Sequence, residues 1–184
     1  MNTIKFHQPR HLQASKAKQK GLTLIELIVA IAIGLIILAA AAAGISKGFG
    51  ASDVGADTDH INTLLVNVRD DLRSVNGYGP AGTDLVPSLR TAGGIPSDMT
   101  ITANVPYNAW NGPVGITSTG LGYQLTSANI PADACVKEAT KLSRPGTVTT
   151  SINGGAAITG AVPVTTATSQ CSGTANTLTF VSSN

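Results

Sequence analysis

The apolar positions divide the chain into stretches of different kinds. From Leu27 to Ile45, 19 successive residues carry neither a charge nor a polar side chain. A bilayer core of about 30 Å is spanned by about 20 such residues in a helix, so the run predicts membrane residence at some stage. Further on, within Asp53–Val75, the residues Ile61, Leu64, Leu65, Val68, Leu72 and Val75 recur at helical steps, with Asn62, Asn67, Arg69, Asp70 and Arg73 on the other faces. Such a stripe predicts an amphipathic helix with one side against a core. Asp53, Thr58 or Asp59 would cap its start, and Asn76-Gly77-Tyr78-Gly79-Pro80 would end it. No proline falls between Leu22 and Val75. A nearly continuous helix over those residues would be about 80 Å long. Gly34, Gly44, Gly48, Gly50 and Gly55 weaken it by about 1 kcal/mol each and are candidate points of bending.

The remainder changes period. Residues 77–97 are rich in Gly and Pro and read as a connecting loop. Alternation of the strand type follows in Met99, Ile101, Ala103 and Val105, then in Leu121, Tyr123 and Leu125, and last in Leu178 and Phe180. Thr147–Ile152 and Val162–Thr166 are shorter strand candidates. Pro131–Ser143 reads as a short helix, with Pro in its first turn and Lys141 near its end. Long helix, loop, strands, short helix, strands is the order of an α+β fold, with an antiparallel sheet packed on the first helix.

Charge sharpens the division. Residues 1–21 contain Lys5, Arg10, Lys16, Lys18 and Lys20 and no acid, whereas all ten acids of the chain lie beyond Leu22. Cations before an apolar run and none just after it predict a cytoplasmic N-terminus. A secretory signal peptide shares the basic start, but its apolar core is about 7–15 residues long. It also leaves Glu26 unexplained. A carboxylate at the edge of an apolar segment calls for a counter-charge. Cleavage between Gly21 and Leu22 would supply one, since the α-amino group created at Leu22 is a cation near neutral pH. Between parallel, staggered helices the Glu26 of one subunit would meet the terminal amine of the next. A buried pair of this kind adds little net stability but is costly to break, so it selects register.

Lys20-Gly21 followed by Leu22, Thr23, Leu24, Ile25 and Glu26, ahead of the long apolar helix, resembles the start of type IV prepilins. The long leader and the mature Leu resemble the class b branch, found in enteric pathogens and on conjugative plasmids. The resemblance rests on about the first 50 residues, and beyond them only the architecture agrees. It implies a leader at 1–21 removed by a prepilin peptidase, N-methylation of Leu22, a hydrophobic membrane and polymerisation helix at 22–50, and a globular head at 51–184. The expected parts of that head are the amphipathic half-helix 51–76, the loop 77–97 and a sheet with a disulfide region over 98–184. It further implies retention in the inner membrane, addition to a helical homopolymer by inner-membrane assembly machinery with an ATPase, and an extracellular fibre. Such a fibre would serve adhesion, aggregation or conjugative mating contact through a host or recipient-cell receptor that the sequence does not name. The competing assignment is a type II secretion pseudopilin or a minor or competence pilin. A DNA receptor would carry a basic stripe on the head. Seven cations against ten acids beyond Leu22 give none, so no nucleic-acid partner is expected.

Cys135 and Cys171 both follow the apolar run, on the side expected to be exported. In an oxidising compartment a disulfide is the natural reading, the alternative being two free buried thiols. The bridge would tie the short helix to the segment before the last strand and stabilise by about 3–4 kcal/mol. In pilins such a bridge encloses a C-terminal surface region, which the resemblance implies is exposed on the fibre.

Catalytic chemistry is not in view. His60 is the only histidine outside the leader and reads as a surface pair with Asp59. No Cys/His cluster has zinc spacing, and neither a phosphate-binding G-x-x-x-x-G-K-[ST] loop nor a G-x-S-x-G elbow occurs. The side chains of Asp70 and Asp71 diverge on a helix. Asp53, Asp57 and Asp59 lack the calcium-loop pattern and read as helix N-terminal charge. No catalytic residue, metal or cofactor is expected.

Overall fold

The computed structural model describes residues 23–143 and 148–182; the side chains of 39–49 lie outside that set. The chain divides into two units between Gly44 and Ile45. Helix α1 (Leu24–Leu72) contributes to both.

In the first unit, Leu24–Leu38 places Leu, Ile and Val on every side of the helix. The large side chains are between 50% (Val29) and 77% (Leu24) exposed. A helix that is apolar all round has no face suited to water and belongs in a core or a membrane. Among the described residues no helix is long and apolar enough to cross a membrane. The described side chains of the apolar run stop at Leu38, and the rest of 27–45 is not among them.

The second unit is built on a five-stranded antiparallel sheet in the order β3-β4-β7-β5-β6. Its strands are β3 (Val114–Ser118), β4 (Tyr123–Ile130), β5 (Thr149–Ile152), β6 (Ile158–Thr159) and β7 (Asn176–Ser182). The last strand lies in the middle, so the chain's end is held on both sides. Phe180 is opposite Leu125 of β4 and Thr150 of β5, and Leu178 is opposite Ser127 and Ile152. Along β4 and β7 alternate residues are buried, the period-2 pattern of a sheet with one covered face. The cover comes in part from α1. Val54, Ile61, Leu64, Leu65 and Val68 join Ile116, Leu125, Leu178 and Phe180 in one buried cluster. The Tyr123 hydroxyl, inside that cluster, donates to the Leu65 carbonyl, and Asn67 Nδ2 donates to the Gly94 carbonyl at 2.7 Å.

The α+β expectation holds, and several elements within it differ from the sequence reading. The apolar stripe ends one turn early. Helix α1 stops at Leu72, and Val75 is fully exposed in a turn that Ser74 and Gly77 close by exchanging backbone hydrogen bonds. Within 77–97 the chain forms helix α2 (Val86–Ala92), with Pro87 in its first turn and Gly93 ending it at φ +77°. Val86 and Leu89 are buried, which is why a stretch rich in loop residues holds a helix. Met99–Val105 is a hairpin rather than one strand. Strands β1 (Thr100–Thr102) and β2 (Val105–Tyr107) pair antiparallel around Ala103 and Asn104, both at positive φ. Leu121 lies in the β3–β4 turn, 68% exposed, and β4 begins at Tyr123.

Pro131–Ser143 contains helix α3 (Ala132–Leu142), as its pattern predicts. Val162–Thr166 is not a strand: helix α4 (Val164–Gln170) occupies it, with Pro163 as its N-cap residue. Proline preceding a first turn suits a helix start better than a ladder it cannot donate to. Strand β5 matches the candidate over Thr147–Ile152 from Thr149 onward; residue 147 is outside the described set. Asp53, Thr58 and Asp59 cap nothing, because α1 runs through them.

These burials set a paired expectation. Leu64→Ala should cost about 2–5 kcal/mol in urea denaturation, and Val75→Ala less than about 0.5 kcal/mol. Equal costs at the two sites would contradict the end of the stripe at Leu72.

Candidate functional site

Two regions carry the residues singled out by the sequence. The first is the start of α1. Gly21 and Leu22 lie outside the described residues. Thr23 and Glu26 are within them and form a reciprocal pair. The Thr23 amide and hydroxyl both donate to Glu26 Oε2 at 3.2 Å, and the Glu26 amide donates back to Thr23 Oγ1 at 3.4 Å. With Leu24 as the first helical residue, this is a capping box, in which the N-cap side chain and the N3 carboxylate satisfy donors left free at a helix start. The T-x-x-E spacing of such a box is present in the sequence at Thr23–Glu26. Glu26 is therefore exposed and held at the positive end of its own helix, and its surroundings are the apolar side chains of Leu24, Ile25 and Leu27. A carboxylate in this position is oriented at the tip of an apolar rod and open to a cation from outside.

The second region is the C-terminal part of the second unit. Cys135 of α3 is disulfide-bonded to Cys171, the residue that ends α4, and both are buried. The closed loop contains α3, β5, β6 and α4. Most of its described exposed residues are small, with Lys137, Lys141 and Val164 as the larger ones. Residues 153–157 are all exposed, and of α4 only Ala167 is buried. Just past the bridge, the fully buried Asn176 makes the turn into β7. Its amide nitrogen donates to the carbonyls of Ile130 (3.0 Å) and Gly173 (2.8 Å), and its oxygen accepts from Asn153 Nδ2 (2.9 Å) and the Gly173 amide (3.2 Å). Asn108 plays the same part in the turn that leads into β3. It accepts from the amides of Trp110 and Gly112 and donates to Ser127 Oγ and the Ala128 carbonyl. A Cβ at Gly112 would come 1.8 Å from that carbonyl, so only glycine fits beneath Asn108. Two isolated asparagines in polar stretches carry no periodic pattern, and nothing in the sequence marks them as hubs.

The acidic residues fall out differently from the sequence reading. His60 does not pair with Asp59. Its Nε2 lies 2.9 Å from Asp98, whose carboxyl it holds below the usual carboxylate range by hydrogen bonding. Asp57, expected as helix N-terminal charge, is fully buried within α1, and its Oδ1 accepts from the Ala109 amide at 3.0 Å. Glu138 of α3 is also fully buried, and neither of its oxygens has a donor. Asp57 is its hydrogen-bonding neighbour only when a proton is shared between the two carboxyls. Burial first, and the negative charge of Asp57 second, push Glu138 up to about 9. Glu138 sat unremarked in the short-helix pattern, although its neighbours Ala134, Cys135, Ala139 and Leu142 place it on the buried face. Among the described residues no group of three His, Cys, Asp or Glu is placed to hold a metal ion. A 410 Å³ groove between α1 and α3 is lined by Gly55, Thr58, Asp59, Asn62, Lys141 and Leu142. It presents no nucleophile with an adjacent base.

Compared with known proteins, residues 51–183 match the family model described as PilS N terminal. Residues 16–42 match the one described as the prokaryotic N-terminal methylation motif. No curated protein matches the chain.

The disulfide carries an expected magnitude. Its cysteines are 36 residues apart, so replacing both with Ser should destabilise the second unit by about 3–4 kcal/mol, read from urea midpoints. No change on reduction would show that the loop is held by its packing alone.

Proposed function

This chain belongs to the type IV pilins, class b, a structural family whose members are processed as prepilins and assembled into surface pili, and we propose that it polymerises through its N-terminal helix into the body of such a fibre. A prepilin peptidase cuts between Gly21 and Leu22, and Leu22 is N-methylated. The precursor waits in the inner membrane with its N-terminus in the cytoplasm and the apolar run 27–45 as its span. An ATP-driven machine then moves the subunit into the filament. The fibre serves adhesion, bacterial aggregation or mating contact.

The observation that carries this reading is the exposed carboxylate of Glu26 at the tip of an unpartnered apolar helix. Leu24–Leu38 presents Leu, Ile and Val in all directions, which one head cannot cover. Several parallel copies cover it by packing on one another, through close van der Waals contact where lipid is displaced and through apolar burial where water is. Such packing has no preferred axial register of its own, because one apolar turn resembles the next. The Glu26 carboxylate supplies the register by accepting the charge of the neighbour's Leu22 amine. The pseudopilin or competence-pilin alternative uses the same helix in protein export or DNA uptake. It differs in having no stable surface fibre built from this subunit.

Electron microscopy of sheared surface fibres, with N-terminal sequencing of their subunit, tests the proposal. Fibres whose chain begins at Leu22 are expected. Processed protein retained in the inner membrane, with no fibres, favours the alternative. Glu26→Val and Glu26→Gln should still be cleaved yet assemble poorly. Leaving one partner of a buried ion pair unmatched costs about 3 kcal/mol, or roughly a hundredfold per contact. Wild-type fibre yields from both variants would sink the register role.

A further inference from the structure

The buried carboxyls of Asp57 and Glu138 have no part in polymerisation as proposed above, and their placement calls for a different explanation. Asp57 comes from α1 and Glu138 from α3, and both are completely excluded from water. Asp57 Oδ2 and both oxygens of Glu138 have no hydrogen-bond donor. An unpaired buried carboxylate is costly, and two of them side by side more so. One proton removes most of that cost, because it neutralises one group and makes the contact a hydrogen bond to the other. We propose that this pair is a proton-dependent latch, which fastens α3 and the disulfide region to α1 while one proton is shared and loosens that attachment as the proton is lost.

The neighbourhood fits a latch. Among the described residues the other charged or titratable groups facing the pair are His60 on α1, which acts on Asp57, and Lys141 on α3, which acts on Glu138. Neither makes a hydrogen bond to it, and the one fixed donor is the Ala109 amide on Asp57 Oδ1. The groove bordered by Thr58, Asp59 and Asn62 of α1 and by Lys141 and Leu142 of α3 runs along the same helix pair. The two helices are thus incompletely packed there, and α3 has room to part from α1. Because α3 carries Cys135, its movement is passed through the bridge to Cys171 and the exposed segment around α4.

The sign follows from proton counting. In the unfolded chain both carboxyls titrate in the ordinary range. In the folded chain burial raises both, and Glu138 is pushed up to about 9, so between about pH 5 and pH 9 the folded state holds one more proton than the unfolded state. Raising the pH therefore favours unfolding or the local opening of α3. One retained proton corresponds to a change of up to about tenfold in the folding equilibrium per pH unit.

The test uses the processed, disulfide-bonded chain in detergent micelles. Urea denaturation and amide hydrogen exchange, corrected for intrinsic exchange rates, are followed from pH 5 to 9. The wild type should lose stability by up to about tenfold in its folding constant per unit between pH 6 and 8, with 132–142 losing protection before the β4–β7 core. Glu138→Gln and Asp57→Asn should each flatten that slope, whereas His60→Gln, which removes the other titratable group facing Asp57, should leave it. A wild-type stability that is flat or rising over pH 6–8 overturns the latch, as does a slope that survives in either carboxyl variant. Should Glu138→Gln not fold, Asp57→Asn and the wild-type exchange pattern decide the matter, and 132–142 protection that follows the rest of the sheet at every pH counts against it.

Discussion

Helix α1 has to meet two demands with one backbone, and the packing of its second part on the sheet is the contact on which the rest of the head depends. Val54, Ile61, Leu64, Leu65 and Val68 keep to one side, and that side closes the core around β4 and β7. At about 25 cal/mol per Å² of apolar surface, burying several such side chains contributes on the order of 10 kcal/mol before entropy is counted. Removing them would leave the sheet with one face uncovered. The first part, Leu24–Leu38, is built to the opposite rule: it has no polar side on which to rest against water. A single chain satisfies the stripe but not the rod, so the fold is complete only when other copies or a bilayer complete it.

The head reaches a defined structure with few large rings. Among the described residues Tyr123 and Phe180 are the only fully buried aromatic side chains, and Tyr78 meets Tyr123 edge-on at 5.2 Å. What ring area would elsewhere supply comes here from polar hubs and a covalent tie. Asn108 and Asn176 each satisfy four partners, and their loss would leave several buried backbone groups unpaired. The disulfide ties down the segment around α4, which buries one residue, while the two-residue β6 buries none. Stabilisation is therefore placed where apolar burial is thinnest.

Much of this was legible. The stripe from Ile61 to Val68, strand β7 from Leu178 and Phe180, helix α3 and the α+β order all follow from periodicity, because each buries one side of a regular element. The misread elements share a different cause. In 86–92 and 164–170 a proline opens a helix of two turns, too short to show a period. In 100–107 the alternation continues across a turn made by Ala103 and Asn104 at positive φ, so two strands look like one. At the candidate site, Glu26 was legible because it is an anomaly in an apolar run. Glu138 was not, since a Glu in a short helix is ordinary until its neighbours are known to be buried.

Glu26 and Glu138 show how the same side chain is assigned opposite work by its surroundings. Glu26 has donors at once, in the Thr23 amide and hydroxyl, and solvent beside it, so it is open to a partner from outside. In the proposed fibre, assembly exchanges solvent for apolar neighbours around this carboxylate, and a partner's cation makes that exchange tolerable. Glu138 starts where Glu26 would end, enclosed and without a cation in hydrogen-bonding contact, and the response open to it is to keep its proton. In the proposed assembly, the carboxylate at the tip of α1 specifies which copy meets which, while in the proposed latch neutrality beside the other part of α1 keeps α3 in place. The two acids are separable on these proposals, because one would act between chains through its charge and the other within a chain through the absence of it.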